Sequence, residues 1–279
     1  MREDANWTLT LQRLRHVIAR RVHVMHHYEG WDDELFWWDT MHNLYIGPGG
    51  DLVGSCMSLL IELGWYGNEE SMAVICKRAS LALKATMKKH GVYTTCPSFT
   101  PSNLNLERGK VAGFSIPGAA HIKHALFFCA EELKLASMYY GDSCIEVQRA
   151  ASCLYSLVSW IQCLDKADMI LTLEEVRLCQ KLGRRFLRGV VKLAAVAIRS
   201  HVLRWKIRPK LHYLDHTMRE LRNRLNPRFF QCFLEEDHIG RVSRLAAQVH
   251  RRQVGPRTLE RYFLLLARRF FRGAPRCKL

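Results

Sequence analysis

Asp39 and His42 are the side chains whose types and spacing best suit chemistry in this sequence. Asp39 lies near the end of an apolar, aromatic-rich run at residues 35–41, and His42 follows directly after that run. A Gly-Pro-Gly-Gly break comes soon after, at residues 47–50. This pattern predicts a short strand followed by a turn. A carboxylate at the end of a strand is held stiffly yet reaches solvent, which suits an oxygen ligand of Mg²⁺ in phosphoryl transfer. The plainer interpretation, which the residues by themselves favour, is that Asp39 caps the turn and His42 is a satisfied, half-buried side chain.

The C-terminal part of the chain carries most of its positive charge. The formal net charge is +16, and residues 201–279 hold 19 Lys and Arg against 6 Asp and Glu, a net +13. DNA is the expected partner of such a segment, because each neutralised phosphate releases condensed counterions. The predicted nucleic-acid contacts are Lys206, Arg208, Lys210, Arg241, Arg244, Arg251 and Arg252. A solvated basic face, or one that lies on an anionic membrane surface, explains the charge equally well.

Composition indicates an ordinary globular protein, with 48% apolar and 24% charged residues. The ten cysteines are scattered singly and never form a CxxC pair, so we expect reduced, buried thiols and no zinc finger. Uninterrupted apolar runs are shorter than a bilayer requires, and the first thirty residues show no secretory signal. We therefore expect no membrane association and a nuclear or otherwise intracellular location.

Apolar periodicity predicts that most of the chain is helical. The predicted helices cover residues 51–63, 68–90, 122–136, 145–164, 172–198, 209–225, 236–251 and 256–272. Thr172 and Glu175 form a capping-box pattern at the start of one of them. Residues 92–118 are rich in Thr, Ser, Pro, Asn and Gly, which predicts a long connection and an internal boundary.

The first of two motif regions is the run Asp-Thr-Met-His at residues 39–42, followed by Leu44 and Gly47. It resembles the signature Asp-x-Met-His-x-x-x-Leu-Gly of transposases of the CACTA (En/Spm-like) kind, although Leu44 and Gly47 are spaced differently here. Those transposases are DDE enzymes with an RNase H-like fold. The resemblance implies that Asp39 is a metal-binding carboxylate and that His42 is its catalytic companion.

The second region comprises residues 205–216, the Asn-Pro pair at 226–227 and residues 233–237. It is similar to the family's lysine-x-His helix, which precedes the third acidic residue on a following helix. The resemblance implies that Glu236 is the third carboxylate and a metal ligand, with Glu235 as the alternative. The expected cofactor is Mg²⁺, and the implied reaction is DNA strand cleavage and transfer.

The fold expected from this resemblance is α+β and dominantly α-helical, an incomplete RNase H-like core with a large helical insertion. Asp39 and Glu236 are 197 residues apart, which is too long for an uninterrupted RNase H-like fold. We expect partial strands in residues 1–50, the insertion in residues 51–200, and basic helices carrying the third acidic residue in residues 201–279.

The first aspartate of a DDE site has no convincing counterpart upstream of Asp39. Asp32, Asp33 and Glu34 are too close to Asp39 to lie on a separate strand. We therefore expect an N-terminally truncated chain that binds DNA without strand transfer, whether it is a fragment, a decayed element or a domesticated protein.

Other interpretations stay open. A non-enzymatic helical nucleic-acid-binding or adaptor protein would not bring Asp39 and Glu236 together, and a homo-oligomer is compatible with either function. His212 and His216 loosely resemble an inverted zinc-protease motif, but the surrounding cations disfavour a metal there. A basic patch around Phe186 is formed by Arg184, Arg185 and Arg188, and it favours a solvated helix face over a base-stacking platform.

Overall fold

Helices make up most of the computed structural model, which describes residues 38–68, 71–107, 109–116 and 118–273, apart from the side chains at 234–237, 269 and 271–273. Within these ranges a π-helical segment, Met41–Gly49, leads directly into the first α-helix. The α-helices are α1 (Gly50–Glu62), α2 (Met72–Lys89), α3 (Ala119–Tyr140), α4 (Ile145–Lys166), α5 (Leu173–Arg199), α6 (Lys210–Glu220), α7 (Phe233–Ala246) and α8 (Val254–Gly273). The expectation of a dominantly helical protein is confirmed for this part of the chain.

The core is built around α4 and α5, which pack along each other, with α3 against α4 and α6 against α5. Trp160 on α4 and Phe186 on α5 are almost completely buried, and each stabilises the fold by about 2–3 kcal/mol. Glycines let the helices approach closely. A Cβ on Gly183 would lie 2.4 Å from the Met218 sulfur, and one on Gly189 would lie 2.9 Å from the Cys153 sulfur.

The predicted strand at residues 35–41 is wrong where it can be compared. Residues 38–39 are irregular and the helical segment begins immediately after them, while residues 35–37 lie outside the described residues. The reason is burial on a helical period, because Met41, Leu44 and Tyr45 all point into the core. The described residues contain no strand, and their single β-bridge pairs Ile170 with Leu225.

The glycine-proline break produces a kink within the helical run. Ile46 and Gly47 leave helical geometry, and Gly47 has a φ of 149°, which favours glycine. Helical geometry resumes at Pro48, which has no N–H to satisfy and is therefore tolerated at a helix start. The prediction of a break is confirmed, and the chain continues into α1 without a loop.

The ends of the helices depend on local hydrogen bonds that the apolar pattern does not specify. The Thr172 capping box is confirmed, since its hydroxyl accepts from the backbone N–H of Glu175 and the Glu175 carboxylate accepts from Thr172. The N-cap of α2 is Ser71, three residues later than the predicted cap Asn68. α7 covers Phe233–Ala246 where residues 236–251 were predicted.

Residues 92–118 form a long connection, as predicted, but they do not divide the core. Phe99, Leu104 and Phe114 are buried in the same cluster as the helices. The backbone N–H of Phe114 donates to the carbonyl of Gly50 at 2.7 Å, which fastens the connection to the start of α1. The connection is therefore part of the packed interior.

The described cysteines are free thiols, as expected, and most of them are buried. Burial raises the pKa of Cys153 to about 12, and burial together with Cys129 raises the pKa of Cys96 to about 11. Both thiols stay protonated and unreactive at neutral pH. Cys277 lies outside the described residues.

One stretch, Met41–Glu62, is long and apolar enough by length and composition to cross a membrane, with a mean hydropathy of 1.3. Within the described structure, 78% of that window is buried inside the protein. Its uninterrupted apolar runs are short, so the sequence alone did not single it out. The stretch packs against α3 as the helix of a protein core does.

Candidate metal and nucleic-acid site

The Asp39 carboxylate lies at the junction of two distant parts of the chain. Its Oδ1 accepts hydrogen bonds from the backbone N–H of Met41, at 2.8 Å, and from that of Cys232, at 3.3 Å. Its Oδ2 pairs with Nδ1 of His42. The Asp39 side chain is 16% exposed and that of His42 is 42% exposed, so the pair lies at the edge of the core and reaches solvent.

The chain that leads into α7 is anchored by a buried asparagine. The side-chain amide of Asn226 donates to the carbonyls of Leu164, at 2.9 Å, and Asp168, at 3.1 Å, at the end of α4. The next residue, Pro227, accepts a hydrogen bond of 3.5 Å from the Thr40 hydroxyl. The asparagine therefore fixes this chain to α4, and the Thr40 bond joins it to the segment that carries Asp39.

The predicted third acidic residues therefore follow closely after a contact of Asp39. Cys232 immediately precedes α7, and Glu235 and Glu236 occupy the first turn of that helix. Residue 236 comes about 6 Å further along the helix axis than residue 232. The side chains of Glu235 and Glu236 lie outside the described residues, so their pairing with Asp39 stays a prediction. What the described residues bring together is the Asp39 carboxylate and the backbone at the start of α7.

The predicted metal site has a limited set of described donors. Among the described side chains, no group of three or more His, Cys, Asp or Glu residues converges. Asp39 supplies two carboxylate oxygens, one of which already accepts two backbone hydrogen bonds. His42 offers nitrogen, which is a poorer ligand for Mg²⁺ than oxygen. A magnesium ion would fit here only with further oxygen ligands from α7.

Two of the predicted nucleic-acid contacts hold the fold together. Arg208 pairs with the buried Asp51 through both Nε and Nη2, with an Nη2–Oδ1 distance of 2.8 Å. Lys210 donates to the carbonyl of Ile46 at 2.6 Å, at the kink before α1. Both line a cavity of about 380 Å³ that also reaches Phe114. Their part in nucleic-acid binding stays a prediction beside these structural contacts.

The other predicted nucleic-acid contacts lie on the surface. Lys206 is exposed between α5 and α6. Exposed arginines follow one another on α7 and on the short 3₁₀ turn Arg251–Gln253 before α8, namely Arg241, Arg244, Arg251 and Arg252. This end of the molecule is therefore positively charged and accessible.

A buried arginine was missed by the sequence analysis. The Arg204 side chain is 2% exposed and pairs with Glu62 and with Glu146, the latter at 3.1 Å. The neighbouring Trp205 has a φ of 57° and donates its indole N–H to Glu146 at 2.8 Å. No sequence signal could have found these pairs, because the partners of Arg204 are 58 and 142 positions away.

The histidine pair on α6 lacks the partners of a zinc enzyme in the described part of the chain. The Nε2 atoms of His212 and His216 are 3.0 Å apart, which places one ring N–H against the other nitrogen. Asp215 pairs with Arg219 at 2.8 Å. Trp38 stacks on His216, with ring centroids 5.8 Å apart. The described contacts of the two histidines and Asp215 are therefore a hydrogen bond, ring stacking and an ion pair.

The described residues define a dominantly helical, strongly basic protein. Comparison of the chain with protein-family models, with curated proteins and with solved structures gave no match. The contacts of Asp39 and the exposed arginines near the C-terminus are the features from which a function is proposed.

Proposed function

We propose that this chain is derived from a DDE transposase of the CACTA (En/Spm-like) kind and binds DNA through its basic C-terminal helices. The observation that carries the proposal is the hydrogen bond from Cys232 to Asp39, which joins the predicted second acidic position to the helix of the predicted third. The helices between residues 51 and 200 support an insertion at that place in an RNase H-like fold. The arginines of α7 and the turn after it would contact phosphates.

In this proposal Asp39 and Glu236 are two ligands of a Mg²⁺ site, with Glu235 as the alternative and His42 as the residue that orients the Asp39 carboxylate. The metal would supply the activation of water and the stabilisation of charge on the scissile phosphate. The chain's own part is to hold Asp39 rigidly between two backbone N–H groups. In this proposal the chain binds DNA, and strand transfer would require a third carboxylate beside Asp39 and Glu236.

Metal-dependent stabilisation tests the site without requiring catalysis. A ligand at ten times its Kd stabilises a folded protein by about 1.4 kcal/mol, so Mg²⁺ or Mn²⁺ should raise the melting temperature by about 3–5 °C. Glu236→Gln should abolish the rise, and Asp237→Asn is the matched control because it removes the neighbouring charge. Glu235→Gln decides between the two glutamates. An equal rise in all variants, or no rise in the wild type, would overturn the metal site.

A second candidate function is a non-enzymatic helical nucleic-acid-binding or adaptor protein. It is favoured by the structural use of His42 and Asp39 as a pair within the fold. It predicts DNA binding that is indifferent to Glu236→Gln and to divalent metal. The metal titration above therefore separates the two functions.

A further inference from the structure

A groove lined by basic residues runs between α4 and α5, and it includes the arginines on either side of Phe186. It has a volume of about 730 Å³, and its wall includes Gln148, Ser152 and Gly189. The cations that line it are Arg149, Lys181, Arg184, Arg185, Arg188 and Lys192, and none of its described lining residues is acidic.

The cations on α5 form one continuous row. Residues 181, 185, 188 and 192 recur every three to four positions, which places them on one face of the helix, and residue 184 lies beside them, three positions after residue 181. The row extends about 16 Å along the helix axis, which is longer than a single phosphate group. A ligand that satisfied the whole row would carry several negative charges in a line.

These charges are not neutralised by the described part of the protein. The six cations that line the groove are exposed, and none of them forms an ion pair with a described carboxylate. Arg204 and Arg208 differ, since Arg204 pairs with Glu62 and Glu146 and Arg208 pairs with the buried Asp51. Six like charges on two packed helices repel one another, and a bound polyanion would relieve that repulsion.

The groove is a built feature of the helix pair. Gly189 lets α5 approach α4 closely, since a Cβ there would lie 2.9 Å from the Cys153 sulfur on the floor of the groove. Arg185 donates across the groove to the Ser152 hydroxyl at 3.2 Å, and Arg184 donates to the Gln180 carbonyl at 3.2 Å. Both guanidinium groups are therefore oriented by neighbours before a ligand arrives.

We propose that this groove binds the phosphate backbone of duplex DNA, as a second contact region separate from the C-terminal helices. Arginine predominates, and its planar fork matches phosphate oxygens in a bidentate manner. A concave row of cations suits the phosphate backbone of one DNA strand. An anionic membrane surface is contacted best by a flat or convex face with apolar side chains to insert. The inference uses none of the residues of the proposed metal site and does not rest on the proposed function.

The experiment compares two triple variants of the full chain with equal loss of charge. The groove variant is Arg184→Gln, Arg185→Gln and Arg188→Gln. The matched control is Lys77→Gln, Lys84→Gln and Lys88→Gln, which removes three exposed cations from α2. Binding to a fluorescent 30-base-pair duplex is measured by anisotropy from 50 to 200 mM salt. Circular dichroism and thermal melting check that each variant is folded.

The groove variant should bind about tenfold or more weakly, with a log–log salt slope smaller by about 2–3, because each lost phosphate contact contributes about 0.9 to the slope. The control should stay within about twofold of the wild type. Equal weakening of both variants, or full affinity in the groove variant, would overturn the proposal. If the groove variant keeps the DNA affinity of the wild type but co-sediments less with phosphatidylserine vesicles than the wild type does, the proposal is overturned in favour of a membrane surface.

A third variant distinguishes the two DNA-binding proposals. It replaces four of the predicted C-terminal contacts with glutamine and leaves the groove intact. The substitutions are Arg241→Gln, Arg244→Gln, Arg251→Gln and Arg252→Gln. If only this variant loses affinity, the groove inference fails and the C-terminal contact stands. If only the groove variant loses affinity, the C-terminal contact fails and the groove stands.

Discussion

Asp39 and Cys232 are 193 positions apart in the chain, and the backbone N–H of Cys232 donates a hydrogen bond of 3.3 Å to the Asp39 carboxylate. The same carboxylate oxygen accepts from the backbone of Met41 at 2.8 Å, so it joins the start of the π-helical segment to the start of α7. A carboxylate that bridges two backbone donors has a structural role whether or not it also binds a metal.

Asp39→Ala should lower the free energy of unfolding by about 1–3 kcal/mol, because two part-buried backbone donors lose their acceptor. Asp39→Asn should cost less, since its amide oxygen replaces the accepting Oδ1. Equilibrium urea unfolding measures both values. A loss in Asp39→Ala below about 0.5 kcal/mol would show that the contact with Cys232 does not stabilise the fold.

Arg208→Ala should destabilise the protein by leaving the buried Asp51 carboxylate without its partner. The Arg208 side chain is 41% exposed, so solvent screening reduces the cost to about 2 kcal/mol. Arg208→Lys should recover only part of the loss, because the compact lysine ammonium lacks the planar fork that pairs with both carboxylate oxygens at once. Urea unfolding measures the series, with Arg208→Ala combined with Asp51→Asn as the control that removes both charges. No recovery in that double variant would contradict the explanation.

Gly54→Ala should destabilise the protein by about 2–3 kcal/mol through overpacking. A Cβ at this position would lie 2.2 Å from the backbone of Gly113, which neither residue can relieve by a side-chain movement. Gly240→Ala is the matched control within a helix, because the nearest atom there is an Arg244 nitrogen at 3.7 Å. The control should be neutral or stabilising by up to about 1 kcal/mol. Thermal melting compares the two, and similar melting temperatures would refute the close contact between α1 and the connection.

The pKa of His216 should lie below that of a free histidine. Burial lowers it most, followed by His212, and Asp215 opposes the shift. A depressed histidine pKa means that the unfolded chain takes up the proton first, so stability should fall as the pH drops below about 6.5 towards the folded pKa. NMR titration of the ring proton measures the pKa, and His212→Gln should raise it.

The control for the pH effect is His216→Gln, which removes the titrating group. Its free energy of unfolding, measured in urea between pH 7.5 and pH 5, should decline less than that of the wild type. A steeper decline in this variant, or an NMR pKa of His216 above the ordinary value, would contradict the assignment.

The helices were largely predictable because their signals are local. The period of apolar residues in α4 and α5 and the capping box at Thr172 and Glu175 each lie within a few turns of chain, and both were found in the structure. The segment after Trp38 was predicted as a strand because its aromatic, apolar run is too short to reveal a period. Packing on several sides decided that it is helical.

The sequence by itself determined the helical majority of the described residues and the excess of positive charge near the C-terminus, because composition and spacing are properties of the chain. Tertiary structure decided which charges are neutralised inside the fold: Arg204 and Arg208 found carboxylates far away in the sequence, whereas the cations between α4 and α5 found none among the described residues. Tertiary structure also placed Asp39 beside Cys232. Such long-range pairs depend on how helices pack, and helix packing depends on side-chain shape across the whole core, which no local pattern encodes.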